Sequence, residues 1–117
     1  MKNILIIDDQ QEVREIIREF LELRGYNVSE AEDGRVGLDF FQHTKPDLAI
    51  VDIEMPVMNG LQFSQSVLKQ APEFPIIMIT AFIQKHTPKK LESLGVQTVL
   101  QKPLNLIDLE QAILQSI

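Results

Sequence analysis

Cysteine is absent from the 117 residues. That excludes a disulfide scaffold and a thiolate metal centre, and it agrees with a reducing, cytoplasmic setting. Long apolar runs are also absent. The longest, residues 4–7 and 75–79, are strand-sized and fall far short of the roughly 20 residues that span a bilayer, so no membrane association is expected. Met1-Lys2-Asn3 leads straight into the first run, without the apolar core and small-residue cleavage site of a secretory leader. No internal repeat, linker or low-complexity tract interrupts the chain. Residues 1–117 therefore read as one domain, long enough to bury a single core. Positive charge is the minority: 11 Lys and Arg stand against 17 Asp and Glu, a net charge of -6. That balance argues against non-specific nucleic-acid binding. It serves solubility, or it marks carboxylates grouped around a cation.

What is present is an alternation. Residues 3–7 are apolar and end in Asp8-Asp9, the pattern of a buried strand in a parallel sheet. Val13, Ile16, Ile17, Phe20 and Leu21 then follow the spacing of one buried helix face. The opposite face carries Glu12, Arg14, Glu15, Arg18, Glu19 and Glu22, and Gly25 ends the helix. Residues 26–30 alternate like a short strand. Asp33-Gly34 opens a second helix, which Pro46 closes off. Residues 48–51 form a second apolar strand ending at Asp52, and a loop over 53–60 leads to a third helix at about 61–70. Residues 76–79 form another strand, ending at Thr80-Ala81. Thr87-Pro88 predicts an N-cap and first helical position, hence a short fourth helix that stops at Gly95. Residues 96–100 make the last strand, leading into Gln101-Lys102-Pro103. Asn105 caps a final helix with Leu106, Leu109, Ile113 and Ile117 on one face. The order βαβαβαβαβα implies an α/β fold: a doubly wound five-stranded parallel sheet with five helices.

In such sheets ligands bind beyond the carboxyl ends of the strands, where the strand order reverses. The strand ends here carry Asp8 and Asp9, then Asp52, then Thr80, with Lys102 just past the last. Three clustered carboxylates repel, so one stays protonated unless a cation joins them. Lys102 supplies one positive charge, and a hard divalent ion, Mg²⁺, suits the rest. A site of this kind is fitted to receive a phosphoryl group, whose transition state needs charge neutralisation on its equatorial oxygens. Lys102 and the Thr80 hydroxyl would supply it while Asp52 attacks phosphorus in line.

These landmarks together resemble the receiver domains of bacterial response regulators, the CheY-like family. They are Ile6-Ile7-Asp8-Asp9, the run from Val51-Asp52 through Met55-Pro56 to Asn59-Gly60, Thr80-Ala81 and Lys102-Pro103. The resemblance covers essentially the whole chain. It implies a flavodoxin-like fold with strand order 2-1-3-4-5. It implies Asp52 as phosphoacceptor, and Mg²⁺ held directly by Asp9, Asp52 and the backbone carbonyl of Glu54, with Asp8 acting mostly through water. Thr80 would hydrogen-bond the phosphoryl oxygen, Lys102 would pair with it, and the Lys102-Pro103 peptide would be cis. The donor would be a sensor histidine kinase or phosphotransfer protein, and the signal would pass to a downstream target or output domain. The family usually dimerises or meets targets through the fourth helix, fifth strand and fifth helix. No DNA-binding element lies within these residues. The chain would be a phospho-accepting switch that assists only its own phosphorylation and dephosphorylation, not a turnover enzyme.

Two departures stand out. The family usually has Tyr or Phe three residues before the lysine, and here that position is Val99. Pro88 forbids an unbroken helix from the mid-eighties. Glu54 and Phe82 occupy positions that modulate phosphoryl lifetime in the family, and Phe82 is expected to limit water access. Two rival readings are a pseudo-receiver that signals without phosphate and an Mg²⁺-dependent phosphohydrolase with an aspartyl nucleophile. The second has little room for a substrate cap in 117 residues.

Overall fold

The apolar runs become the strands of one sheet in a computed structural model of the chain, which describes residues 1–82, 91, 93–96 and 98–117. The elements are β1 (Asn3–Ile7), α1 (Gln11–Leu23), β2 (Asn27–Ala31), α2 (Gly34–Thr44), β3 (Leu48–Asp52), α3 (Gly60–Gln70), β4 (Ile76–Thr80), β5 (Thr98–Gln101) and a final helix, here α4 (Leu106–Ser116). All strands pair in parallel in the order β2-β1-β3-β4-β5, as expected. Among the described residues there are four helices rather than five. The start of the short helix expected from Thr87-Pro88 lies outside the described residues.

Period-two alternation sends each central strand's side chains to both faces. Leu5, Ile7, Ala49, Val51 and Met78 join Phe63, Val67 and Leu68 of α3, with Val36, Phe40 and Phe41 of α2 packed against them. Ile4, Ile6, Ile50, Ile77 and Ile79 join Ile17 and Leu21 of α1 and Leu109, Ala112 and Ile113 of α4. Each such buried aliphatic side chain contributes about 1.5–3 kcal/mol of transfer free energy. Helices on both faces leave the carboxyl edge of the sheet open, and the polar residues sit there.

The helix starts follow the local chemistry. The Asp33 carboxylate accepts from the Arg35 and Val36 N–H groups. Asn59 and Gln62 form a reciprocal capping box. Asn105 accepts from the Ile107 and Asp108 N–H groups. The exception is α1, where Gln10 is the N-cap residue without a side-chain cap bond. Gly25, at φ +90, ends α1 in a conformation that favours glycine.

Several expectations shift. Ile16, placed on the buried face by spacing, is 56% exposed, because Ile17 and Leu21 alone make the deep contacts of α1. Ile117 lies past α4 and is exposed, and Ala112 joins Leu109 and Ile113 in the core instead. The last strand starts at Thr98, since the Val96 N–H turns back to the Leu91 carbonyl (3.1 Å) instead of entering the ladder. Among the described residues no helix is long and apolar enough to cross a membrane.

Candidate functional site

Four strand ends converge on one pocket. Asp8 follows β1 and is wholly buried. Its N–H bonds the Ala31 carbonyl at 3.1 Å, and its Oδ1 accepts from the Gln10 N–H at 2.9 Å. Asp52 is the last residue of β3 and is 3% exposed, with Oδ1 3.3 Å from the Glu54 N–H. Lys102, just past β5, is anchored by its N–H to the Thr80 carbonyl at 2.8 Å. Its Nζ lies 3.3 Å from Asp52 Oδ2, 3.0 Å from Asp8 Oδ2 and 3.2 Å from Gln10 Oε1. The Lys102-Pro103 peptide is cis. Gly60 lets the loop after β3 close over the strand end: a Cβ there would stand 2.4 Å from the Asp52 carbonyl oxygen.

Burial shapes the charges first. It pushes the Asp52 carboxyl up, and the neighbouring Asp8 charge adds to this. The charge and hydrogen bond of Lys102 oppose them, Glu54 adds a smaller upward push, and the pKa stands at about 6. Burial works to lower the Lys102 ammonium. The Asp8 carboxylate at 3.0 Å, then the charge and hydrogen bond of Asp52, outweigh it and hold the group above its ordinary range. Among the described residues, one lysine thus serves two buried carboxylates.

The donor set fits a hard divalent cation. Asp8, Asp9 and Asp52 each offer a carboxylate oxygen, and these oxygens lie within 4.8 Å of one another. Asp8 Oδ2 is buried and has no hydrogen-bond donor among the described residues. Lys102 Nζ is close enough to pair with it as an ion, but its direction does not make a hydrogen bond. A buried acceptor in that state carries a desolvation cost that a cation would relieve. All-oxygen, carboxylate-rich donors are the Mg²⁺ preference, so the acidic cluster fits a receiver-type Mg²⁺ site.

Thr80 ends β4 with 0% exposure. Its hydroxyl donates to the Glu54 carboxylate (Oε1 2.8 Å, Oε2 2.9 Å) and accepts from the Phe82 N–H at 2.9 Å. Phe82 itself is 50% exposed. Val99 is half-buried in β5 opposite Met78 and packs against the α2–α3 side of the core.

Two contributors escaped the sequence reading. Gln10 turns its carboxamide to Lys102 instead of capping α1. Arg14, placed on the solvent face by helical spacing, is largely buried. Its Nη1 donates to the Asp8 carbonyl at 2.6 Å and its Nε pairs with Glu30 at 3.1 Å, while Arg18 also pairs with Glu30. The available signal was a long cation in the first turn of a helix that directly follows an acidic strand end.

A family model described as response regulator receiver domain matches residues 4–114. Protein CcdB of Bacillus subtilis is 36% identical over 104 residues, covering 88% of this chain and 87% of CcdB. Response regulator MprA of Mycolicibacterium vanbaalenii is 33% identical over 108 residues, 91% of this chain but 46% of MprA, so the chain spans less than half of that relative's length. Among solved structures, response regulator protein TrrA of Thermotoga maritima, in complex with Mg²⁺-BeF, aligns over 100% of both chains with a TM-score of 0.89 and 32% identity.

Proposed function

This chain belongs to the response regulator receiver domain family of two-component phosphorelay signalling, and on that premise we propose that Asp52 is its phosphoacceptor. The observation that carries the reading is the Lys102 ammonium, within 3.3 Å of Asp52 and 3.0 Å of Asp8 at the open strand ends.

With its pKa at about 6, Asp52 is mostly ionised near neutral pH and nucleophilic. Its oxygen forms the new bond to phosphorus while the bond from phosphorus to the donor's histidine nitrogen breaks, and the imidazole leaves with the bonding pair. Lys102 balances charge on the incoming group, and the Thr80 hydroxyl donates to a phosphoryl oxygen once it turns from Glu54. Asp9, Asp52 and the Glu54 backbone carbonyl would hold Mg²⁺, with Asp8 reaching it through water. When bound, that ion neutralises the equatorial oxygens.

The donor in this reading is a sensor histidine kinase or phosphotransfer protein, and the switch acts on a target or output domain. The relay is placed in the cytoplasm, which suits a chain without cysteine. As a switch, the domain assists only its own phosphorylation and dephosphorylation. Residues 1–117 act as one receiver unit.

Intact mass after incubation with acetyl phosphate and Mg²⁺ tests the assignment. The expected result is an Mg²⁺-dependent gain of about 80 Da, one phosphoryl group, that vanishes in Asp52→Ala. A gain that survives in Asp52→Ala, or no gain with either acetyl phosphate or a phosphohistidine donor, would overturn it.

A further inference from the structure

We propose that Glu54 is a positioning residue that competes with the phosphoryl group for the single hydroxyl proton of Thr80. The inference rests on Asp52 as phosphoacceptor.

Thr80 has little freedom. Its backbone is paired at Gln101 in the β4–β5 ladder, and its carbonyl takes the Lys102 N–H at 2.8 Å. The hydroxyl re-aims by rotation about χ1, where a β-branched side chain has few rotamers, or by turning its proton about the Cβ–Oγ bond. A hydroxyl donates one hydrogen bond at a time. Here that proton faces the Glu54 carboxylate, with both oxygens in reach at 2.8 and 2.9 Å. A charged acceptor makes this bond roughly twice as strong as a neutral one. The Thr80 oxygen is engaged too, accepting the Phe82 N–H at 2.9 Å.

Glu54 also touches the acceptor itself, because its N–H lies 3.3 Å from Asp52 Oδ1. One residue therefore braces the acceptor carboxylate with its backbone and holds the Thr80 hydroxyl with its side chain. A phosphoryl group on Asp52 can take the Thr80 proton only by displacing Glu54. The Glu54 carboxylate thus weakens the bound state by stabilising the empty one, and its removal releases Thr80 to the ligand.

Beryllofluoride binding in the presence of Mg²⁺, followed by fluorine NMR, tests this on the full chain. Parent, Glu54→Ala, Glu54→Gln, Thr80→Ala and the Glu54→Ala/Thr80→Ala double variant are compared. Glu54→Ala is expected to bind roughly ten- to a hundredfold more tightly, the net worth of one hydrogen bond to a charged group. Glu54→Gln is expected to gain less, because its carboxamide oxygen still accepts from Thr80. In the Thr80→Ala background the gain from Glu54→Ala should largely disappear, a coupling that a double-mutant cycle reads directly. Equal gains for Ala and Gln, undiminished in the Thr80→Ala background, would mean that Glu54 acts through charge alone and would overturn the inference. A parent that binds no beryllofluoride overturns the Asp52 assignment as well, so the two failures are distinct.

Discussion

Lys102 and Asp52 stand 50 residues apart in sequence and meet at 3.3 Å, nitrogen to oxygen, across the ends of two strands that are not neighbours in the sheet. The contact makes the ammonium the local counterweight to burial of Asp52. Removing it as Lys102→Met should raise the Asp52 pKa above about 6, since both its charge and its hydrogen bond act downward. Titration of the Asp52 carboxyl carbon by NMR without Mg²⁺ reads this. An unchanged or lower value would show that the pair does not govern the Asp52 carboxyl.

The raised Asp52 pKa has a stability consequence with a definite sign. The folded carboxyl titrates at about 6 against 3.8 for the free group. The folded state therefore binds more protons within that window, and stability falls as pH rises through it. The penalty is absent below the unfolded value and complete above the folded one. Asp52→Asn removes the charge, so without Mg²⁺ it should stabilise the fold by about 3 kcal/mol at about pH 8 and by only about 0.5 kcal/mol at about pH 4. Urea unfolding of both proteins at the two pH values measures the difference. A gain of the same size at both would refute the assignment to Asp52 ionisation.

Gly60 tolerates no side chain. An added Cβ meets the Asp52 carbonyl oxygen at 2.4 Å and the Ile53 Cα at 2.9 Å, and both are backbone atoms that cannot rotate away. Gly60→Ala should cost about 1–3 kcal/mol as an overpacked site and should weaken Mg²⁺ binding as the β3 end shifts. Urea midpoints and calorimetric Mg²⁺ titration check both effects. A variant with parental stability would mean that the loop relaxes freely.

Val57 presents the opposite case. It sits at φ 67 and is 75% exposed, between a Pro56 carbonyl and a Met58 N–H that bond at 2.8 Å. That is a γ-turn centred on a β-branched residue, a strained conformation. The strain, about 1–3 kcal/mol, exceeds the roughly 0.5–1 kcal/mol that glycine loses in chain entropy. Val57→Gly should therefore stabilise the protein by about 1 kcal/mol, read as a higher urea midpoint. Destabilisation would show that the turn holds no strain to release.

Much of this was legible because rigid strands do the positioning. Once residues 3–7, 48–51 and 76–79 read as parallel strands, Asp8, Asp9, Asp52 and Thr80 had to share an edge, and Lys102 followed from the fifth strand. Asp33 and Asn105 announced their helices by side-chain chemistry alone. What stayed hidden depends on rotamers and on contacts distant in sequence. No spacing rule aims the Thr80 hydroxyl at Glu54, turns Gln10 toward Lys102, or folds Arg14 back onto the Asp8 carbonyl. Ile16 satisfied the helical period but is 56% exposed. Val57 carries no turn signal of its own, since a β-branched residue disfavours a positive φ.

The edge position of β5 has a temporal meaning. β5 pairs with β4 alone, and Lys102 lies beyond it, near the end of the described chain. A chain made from its N-terminus exposes Asp8, Asp9 and Asp52 long before the lysine that balances them. A slip of one residue as β5 docks would reverse the facing of its side chains and carry Lys102 out of place. As the proposed acceptor, Asp52 gains its counter-ion only when β5 is seated in correct register, so its readiness for a phosphoryl group reports that this strand has docked.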